Sequence, residues 1–155
     1  MDSLMIFTTQ YGIYLTFFLM LILAFKAEVQ EKKALLLIIL AIPIAILLIK
    51  IIHLLYFEPR PFVTLNFSPL VDSKTDASFP SRHATIMATI AFAYIYFRSK
   101  WSYLFVVLAI LVGISRVYVG VHYPLDILGG IAVAIVAIFF GLTFARLIYK
   151  LLFLD

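Results

Sequence analysis

The sequence predicts an all-α integral membrane helical bundle with five transmembrane helices. Three observations predict it. Hydrophobic residues make up 65% of the 155-residue chain and charged residues only 13%. The mean hydropathy is +1.15, far above that of a soluble globular protein. The apolar residues are gathered in long runs, each of roughly 19–26 residues, where about 20 are needed to cross a bilayer.

The runs fall at about 4–25, 34–57, 79–97, 101–119 and 124–149. The first follows Met1–Asp2–Ser3, which lacks the positive region of a signal peptide, so it reads as a retained span. The second contains Pro43 with apolar sequence on both sides, which predicts a kink within one helix rather than a break. The third and fourth are separated only by the turn Arg98–Ser99–Lys100. The fifth carries Gly129, Gly130, Ala134 and Gly141, small residues that let helices approach closely and suggest a buried central helix. There is no internal repeat, low-complexity segment or linker, so residues 1–155 read as a single domain. There is no cysteine, which excludes disulfides and thiol chemistry.

Five spans place their connections alternately on two sides. One side collects seven basic residues: Lys26, Lys32, Lys33, Arg98, Lys100, Arg146 and Lys150. The other collects four: Arg60, Lys74, Arg82 and Arg116. Positive residues favour the cytoplasm, so the first side, with the C-terminus, is expected inside, and loop 58–78 outside. Tyr94, Tyr96, Trp101 and Tyr103 fit an aromatic belt at the inner boundary.

The polar residues gather near the outer ends of the spans. Span two ends in "HLLYFEPRP", with His53, Arg60 and Pro61; span three opens with "SFPSRHA", with Ser81, Arg82 and His83. The turn "SRVYVGVHYPLD" between spans four and five holds Ser115, Arg116, His122 and Asp126. All three histidines lie in these clusters, and the expected topology puts the clusters on one face. Ionisable residues at membrane depth are candidates for function.

The chemistry points to an anion. Pro80 suits a first helical position with Ser78 as N-cap, and Pro124 suits another helix start. Two helix N-termini then offer unpaired N–H groups and positive dipole ends to one phosphate. Arg60 and Arg116 add planar forks matched to phosphate oxygens. Asp126, four residues after His122, can fix which imidazole nitrogen presents its lone pair, and His83 can protonate a leaving oxygen.

Several residues read as ordinary. Lys74, Asp72 and Asp76 fit a solvated loop, Gly129–Gly130 fits packing, and Tyr118 and Tyr123 fit an interface. The histidines are scattered and one carboxylate stands near them, so no metal set is expected, and no glycine loop of the GxxxxGK[ST] type is present. Lys50 sits one turn deeper than His53 on the same helical face, from which its stem can snorkel outward.

These clusters resemble the signatures of the membrane type-2 phosphatidic acid phosphatase superfamily, K-x6-RP, PSGH and SR-x5-H-x3-D. The third is matched in full by Ser115, Arg116, His122 and Asp126, the second as "PSRH" over 80–83, and the first over 53–61. The signature region covers about 50–130. The phrases "PRPFV", "DASFPSRHAT" and "RVYVGVHYPLDILGG" are similar to undecaprenyl-diphosphate phosphatases of the bacitracin-resistance type.

The resemblance implies a membrane lipid phosphatase without cofactor or metal. His122 would attack phosphorus to form a phosphohistidine, Asp126 would orient it, and His83 would protonate the leaving group. Arg60, Arg116 and Ser81 would bind the phosphoryl oxygens. The expected partner is a membrane lipid, not a nucleic acid: a polyprenyl diphosphate, cleaved outside the cytoplasm to recycle a glycan carrier of peptidoglycan synthesis. A phosphatase of phosphatidate or phosphatidylglycerol phosphate shares these motifs, and a non-catalytic lipid-binding or transport subunit could use the same anion site.

Two positions depart from the family. His53 stands where the signature has lysine, with Lys50 as a possible accessory, and Arg82 stands where it has glycine. A second positive group at Arg82 suits a diphosphate better than a monoester.

Overall fold

The computed structural model describes residues 1–25 and 27–153; Lys26, one of the seven basic residues counted above, lies outside the described residues. The described chain is all-helical: α1 (Asp2–Phe25), α2 (Val29–Leu55), α3 (Pro61–Thr64), α4 (Arg82–Tyr96), α5 (Ser102–Tyr118) and α6 (Pro124–Phe153). Three of these, α1, α2 and α6, are long and apolar enough to cross a membrane, and α5 is a shorter apolar helix. Pro43 lies inside α2, which continues through it as the apolar run requires.

Helix α2 begins earlier than the apolar run, so Lys32 and Lys33 belong to its first turns rather than to a loop. That end is tied to the α4–α5 turn. Ser99 donates to the buried Glu31 carboxylate at 2.7 Å, and Lys100 pairs with Glu28.

The helix at the centre is α4, not α6 as its glycines suggested. It packs against α2, α5 and α6. Nine of its 15 residues are buried, most of them small: Ala84, Thr85, Ala88, Thr89, Ala91 and Ala93 among them. Small side chains let three neighbours approach one short helix at once, and such contact drives association where lipid supplies no hydrophobic contrast. The hydroxyls of Thr85 and Thr89 donate to carbonyls four residues back, so their burial leaves no unpaired donor. Helix α6 packs on α4 and α2 but turns Leu128, Ile135, Phe139 and Phe144 outward. Outward apolar side chains also line α1 and α2, for example Phe18 and Leu47, as expected of helices that face acyl chains.

Tyr94 corrects a second expectation. Instead of standing in an aromatic belt it is fully buried, with its ring 4.2 Å from that of Phe105 at the heart of the main core. Tyr96 and Tyr103 are exposed, as a belt requires.

A smaller apolar cluster at the other end of the bundle positions the site. Val71, Val119 and Val121 are buried there, with Met5, Ile6 and Phe62 packed against them. The turn after α5 passes through Gly120 at φ 81, a backbone conformation that costs glycine little. A Cβ there would also meet the Phe67 ring at 2.6 Å. The long segment between α3 and α4 is pinned at three points by backbone bonds: Leu70 N–H to the Val119 carbonyl, Ser78 N–H to Glu58, and Ser81 N–H to Asp126.

Candidate functional site

The site is assembled where the three polar clusters of the sequence meet. Arg60 caps the short helix α3, its carbonyl accepting from Val63 and Thr64. Proline follows it at the first helical position, so the chain leaves α2, turns once, and sends the Arg60 side chain inward. That side chain is 5% exposed. Its Nη1 donates to the Val121 carbonyl at 3.0 Å and lies 3.4 Å from His122 Nε2.

His122 sits in the turn before α6 and is buried. Its Nδ1 is 3.0 Å from Asp126 Oδ2. Asp126, in the first turn of α6, is wholly buried. The same Oδ2 accepts from the Tyr123 N–H at 2.8 Å and from the Ser78 hydroxyl. A carboxylate that collects several donors stays ionised even when buried. With Asp126 ionised, His122 Nδ1 carries the proton, and Nε2 presents its lone pair on the side of Arg60. Burial pushes the His122 imidazolium below its usual range; the hydrogen bond to Asp126 opposes that push, while Arg60 and Arg116 add to it. The neutral ring is favoured.

The expected start of α4 shifts by two residues. Pro80 follows a cis peptide and is not in the helix; Ser81 is the N-cap and its hydroxyl accepts from the Ala84 N–H at 3.5 Å. Ser78 is therefore not a cap but a partner of Asp126, a role with no signal in the local sequence because the two are 48 residues apart. Arg82 and His83 become the first two helical residues, whose N–H groups have no intrahelical acceptor. His83 is half-buried, among the charges of Arg116, His122, Arg82 and Arg60. Helix α6 starts at Pro124 as expected.

Arg116, near the end of α5, is 9% exposed and donates from Nη1 to Thr9 of α1 at 3.1 Å. The first helix thus supports the site, which nothing in the sequence signalled. Ser115 turns away and donates to its own helix at Val112. Asp76 was expected in a solvated loop; instead its Oδ1 accepts from Arg60 at 2.9 Å and its Oδ2 from Arg82 at 2.8 Å. The loop position is correct, but two guanidiniums converge on it. His53 and Lys50 do not touch His122 through any hydrogen bond; with Arg82 they line a separate cavity between α2 and α4.

Gly129 and Gly130 have the packing role expected. A Cβ at Gly129 would meet the Phe79 ring at 2.2 Å, and one at Gly130 would meet the Ser81 carbonyl at 3.0 Å. The glycines let the 78–81 turn lie directly on α6. Among the described residues, no group of three or more His, Cys, Asp or Glu gathers as a metal-ligand set.

A sequence model described as the PAP2 superfamily matches residues 33–150. The chain is 35% identical over 148 residues to "Undecaprenyl-diphosphatase BcrC" of Bacillus subtilis, which spans 96% of this chain and 77% of that protein. It is 35% identical over 134 residues to an "Undecaprenyl-diphosphatase" of Sulfolobus acidocaldarius, of which it spans 64% of the length, less than two thirds. Among solved structures, LpxE of Aquifex aeolicus superposes with a TM-score of 0.74 at 26% identity, covering 92% of this chain and 85% of that one.

Proposed function

The chain belongs to the PAP2 superfamily and is a multi-pass membrane phosphatase; we propose that it removes the terminal phosphate of a polyprenyl diphosphate through a phosphohistidine at His122. One observation carries the mechanism. His122 is held by Asp126 at Nδ1 and faces the Arg60 guanidinium at Nε2, so a phosphoryl group bound to Arg60 meets the nitrogen lone pair. The names of the two undecaprenyl-diphosphatase relatives support the substrate class.

In the first step the Nε2–P bond forms and the bond from phosphorus to the bridging oxygen breaks. Imidazolium His83 gives its proton to that oxygen, and the incoming diphosphate favours the charged form of His83. Arg60, Arg116, Ser81 and the free N–H groups of Arg82 and His83 hold the equatorial oxygens, where preorganised donors count most. In the second step water attacks phosphorus, His83 takes its proton, and the N–P bond breaks to release phosphate. These steps use protein groups alone.

On this reading all of α1, α2, α4, α5 and α6 cross the membrane, residues 1–155 act as one domain, and the site faces the extracytoplasmic side with the C-terminus in the cytoplasm. The seven-to-four division of basic residues supports that orientation. The product is then the monophosphate carrier lipid of glycan assembly.

The test is a short incubation with terminally labelled polyprenyl diphosphate, followed by denaturation. Acid-labile, alkali-stable label on the unmodified protein and none on His122→Ala is expected. Unimpaired turnover by His122→Ala would overturn the mechanism. Release of phosphate only from phosphatidate or phosphatidylglycerol phosphate would overturn the substrate.

A further inference from the structure

A second cavity, of about 280 Å³, opens between α2 and α4 beside the His122 site. Its lining divides by chemistry. Lys50, His53 and Arg82 supply polar groups, and Ile46, Ile49 and Ile86 supply an apolar wall. His53 Nε2 is buried without a hydrogen-bond partner. Lys50 is exposed along its helix and makes no ion pair within the described residues. Arg82 is the one member already paired, to Asp76.

Asp76 also sets the spacing between the cavity and the site. One of its carboxylate oxygens takes Arg60, which stands at His122, and the other takes Arg82, which stands in the cavity. The two guanidiniums are therefore separated by a single carboxylate. Two phosphoryl groups joined through one oxygen are neighbours on a similar scale. Arg82 and Lys50 line the cavity and Arg60 stands at its Asp76 edge; among the described residues Asp76 is the only carboxylate paired with these cations, so the region favours a further anion.

We propose that the Lys50–His53–Arg82 cavity is a second phosphate subsite, which holds the phosphate that stays on the lipid while Arg60 and His122 take the one transferred. The isoprenoid carbons next to that phosphate then run along Ile46, Ile49 and Ile86. This rests on the diphosphate reading above and deepens it: the subsite selects a diphosphate over a monoester. Arg82 and His53, the two departures from the family signatures, fall in the same cavity.

The test uses inorganic pyrophosphate and inorganic phosphate as competitive inhibitors of the full-length protein in detergent, against a water-soluble phosphomonoester. The unmodified protein should bind pyrophosphate at least tenfold more tightly than phosphate. Lys50→Met and His53→Gln should each reduce that preference about tenfold, the effect of one charge-assisted hydrogen bond. His53→Lys should retain it. Equal affinity for the two anions in the unmodified protein would overturn the subsite without relying on any variant to fold. So would variants that weaken both anions by the same factor. A pyrophosphate preference in a protein that fails to cleave prenyl diphosphate would uphold the subsite and reject the lipid assignment.

Discussion

Ser78 donates its hydroxyl proton to Asp126 Oδ2, the same oxygen that stands 3.0 Å from His122 Nδ1. The serine lies on the turn before α4 and the aspartate in the first turn of α6. Their bond therefore fixes the carboxylate that orients the histidine. Ser78→Ala should fold, since the hydroxyl is small and Asp126 keeps its Tyr123 and His122 donors. It should lower kcat about tenfold with a smaller change in KM, in line with the loss of one hydrogen bond to a charged group. A steady-state comparison of the two parameters checks this; an effect confined to KM would assign Ser78 to substrate binding instead.

Asp126→Asn separates orientation from nucleophilicity. The neutral amide oxygen is a weaker acceptor than the carboxylate for the donors that converge on Oδ2 from Ser78, Tyr123 and His122, and the flipped amide presents an N–H that selects the other tautomer. Turnover should fall by about 10²–10⁴, and slow covalent labelling at His122 should remain. Complete absence of label in rapid-quench experiments, with an unchanged melting temperature, would argue against an orienting role.

The burial of His122 has a consequence for stability. Its folded-state pKa lies below the unfolded value of about 6.5. The unfolded chain therefore binds a proton at a pH where the folded chain does not, and its contribution to stability is full above about pH 6.5. That contribution is lost as pH falls toward the folded-state pKa. Thermal unfolding in detergent should show a melting temperature that drops below pH 6.5, and His122→Gln should show a shallower drop. Identical slopes for the two proteins would contradict the depressed pKa.

Gly129→Ala tests how closely the 78–81 turn rests on α6. The new methyl group would overlap the Phe79 ring, and such overpacking costs roughly 1–3 kcal/mol. Because Ser78 and Ser81 sit on either side of Phe79 and Pro80, activity should fall further than stability alone explains. Full activity at a temperature where the variant is folded would show that the turn shifts without disturbing Asp126.

Orientation is open to direct labelling. The chain has no cysteine of its own, so a single cysteine at the exposed Lys74 should react with a membrane-impermeant maleimide in intact cells. Reaction only after permeabilisation would reverse the assigned topology.

The sequence by itself determined the helical, membrane-embedded character of the chain, because long apolar runs have few other structures in which backbone groups are satisfied. It also determined the pair His122 and Asp126. Their spacing of four residues across a helix start brings them together through local geometry, whatever the rest of the bundle does. Helix starts were legible only in part. Pro124 opened α6 as expected, but Pro80 did not open α4, since a proline in the turn and a proline in the first helical position look alike in sequence. The burial of Tyr94 and the central place of α4 were decided by packing, in which small residues on one helix matter only relative to the neighbours they meet. Tertiary structure alone decided the supports of the site. Ser78 reaches Asp126 across 48 residues, Arg116 reaches Thr9 across 107, and Asp76 draws to its two oxygens Arg60, the cap of α3, and Arg82, the first residue of α4. These partners are short polar residues in turns and a first helix, ordinary by composition. Their roles arise only when distant segments must satisfy each other's buried donors and acceptors in the same small volume.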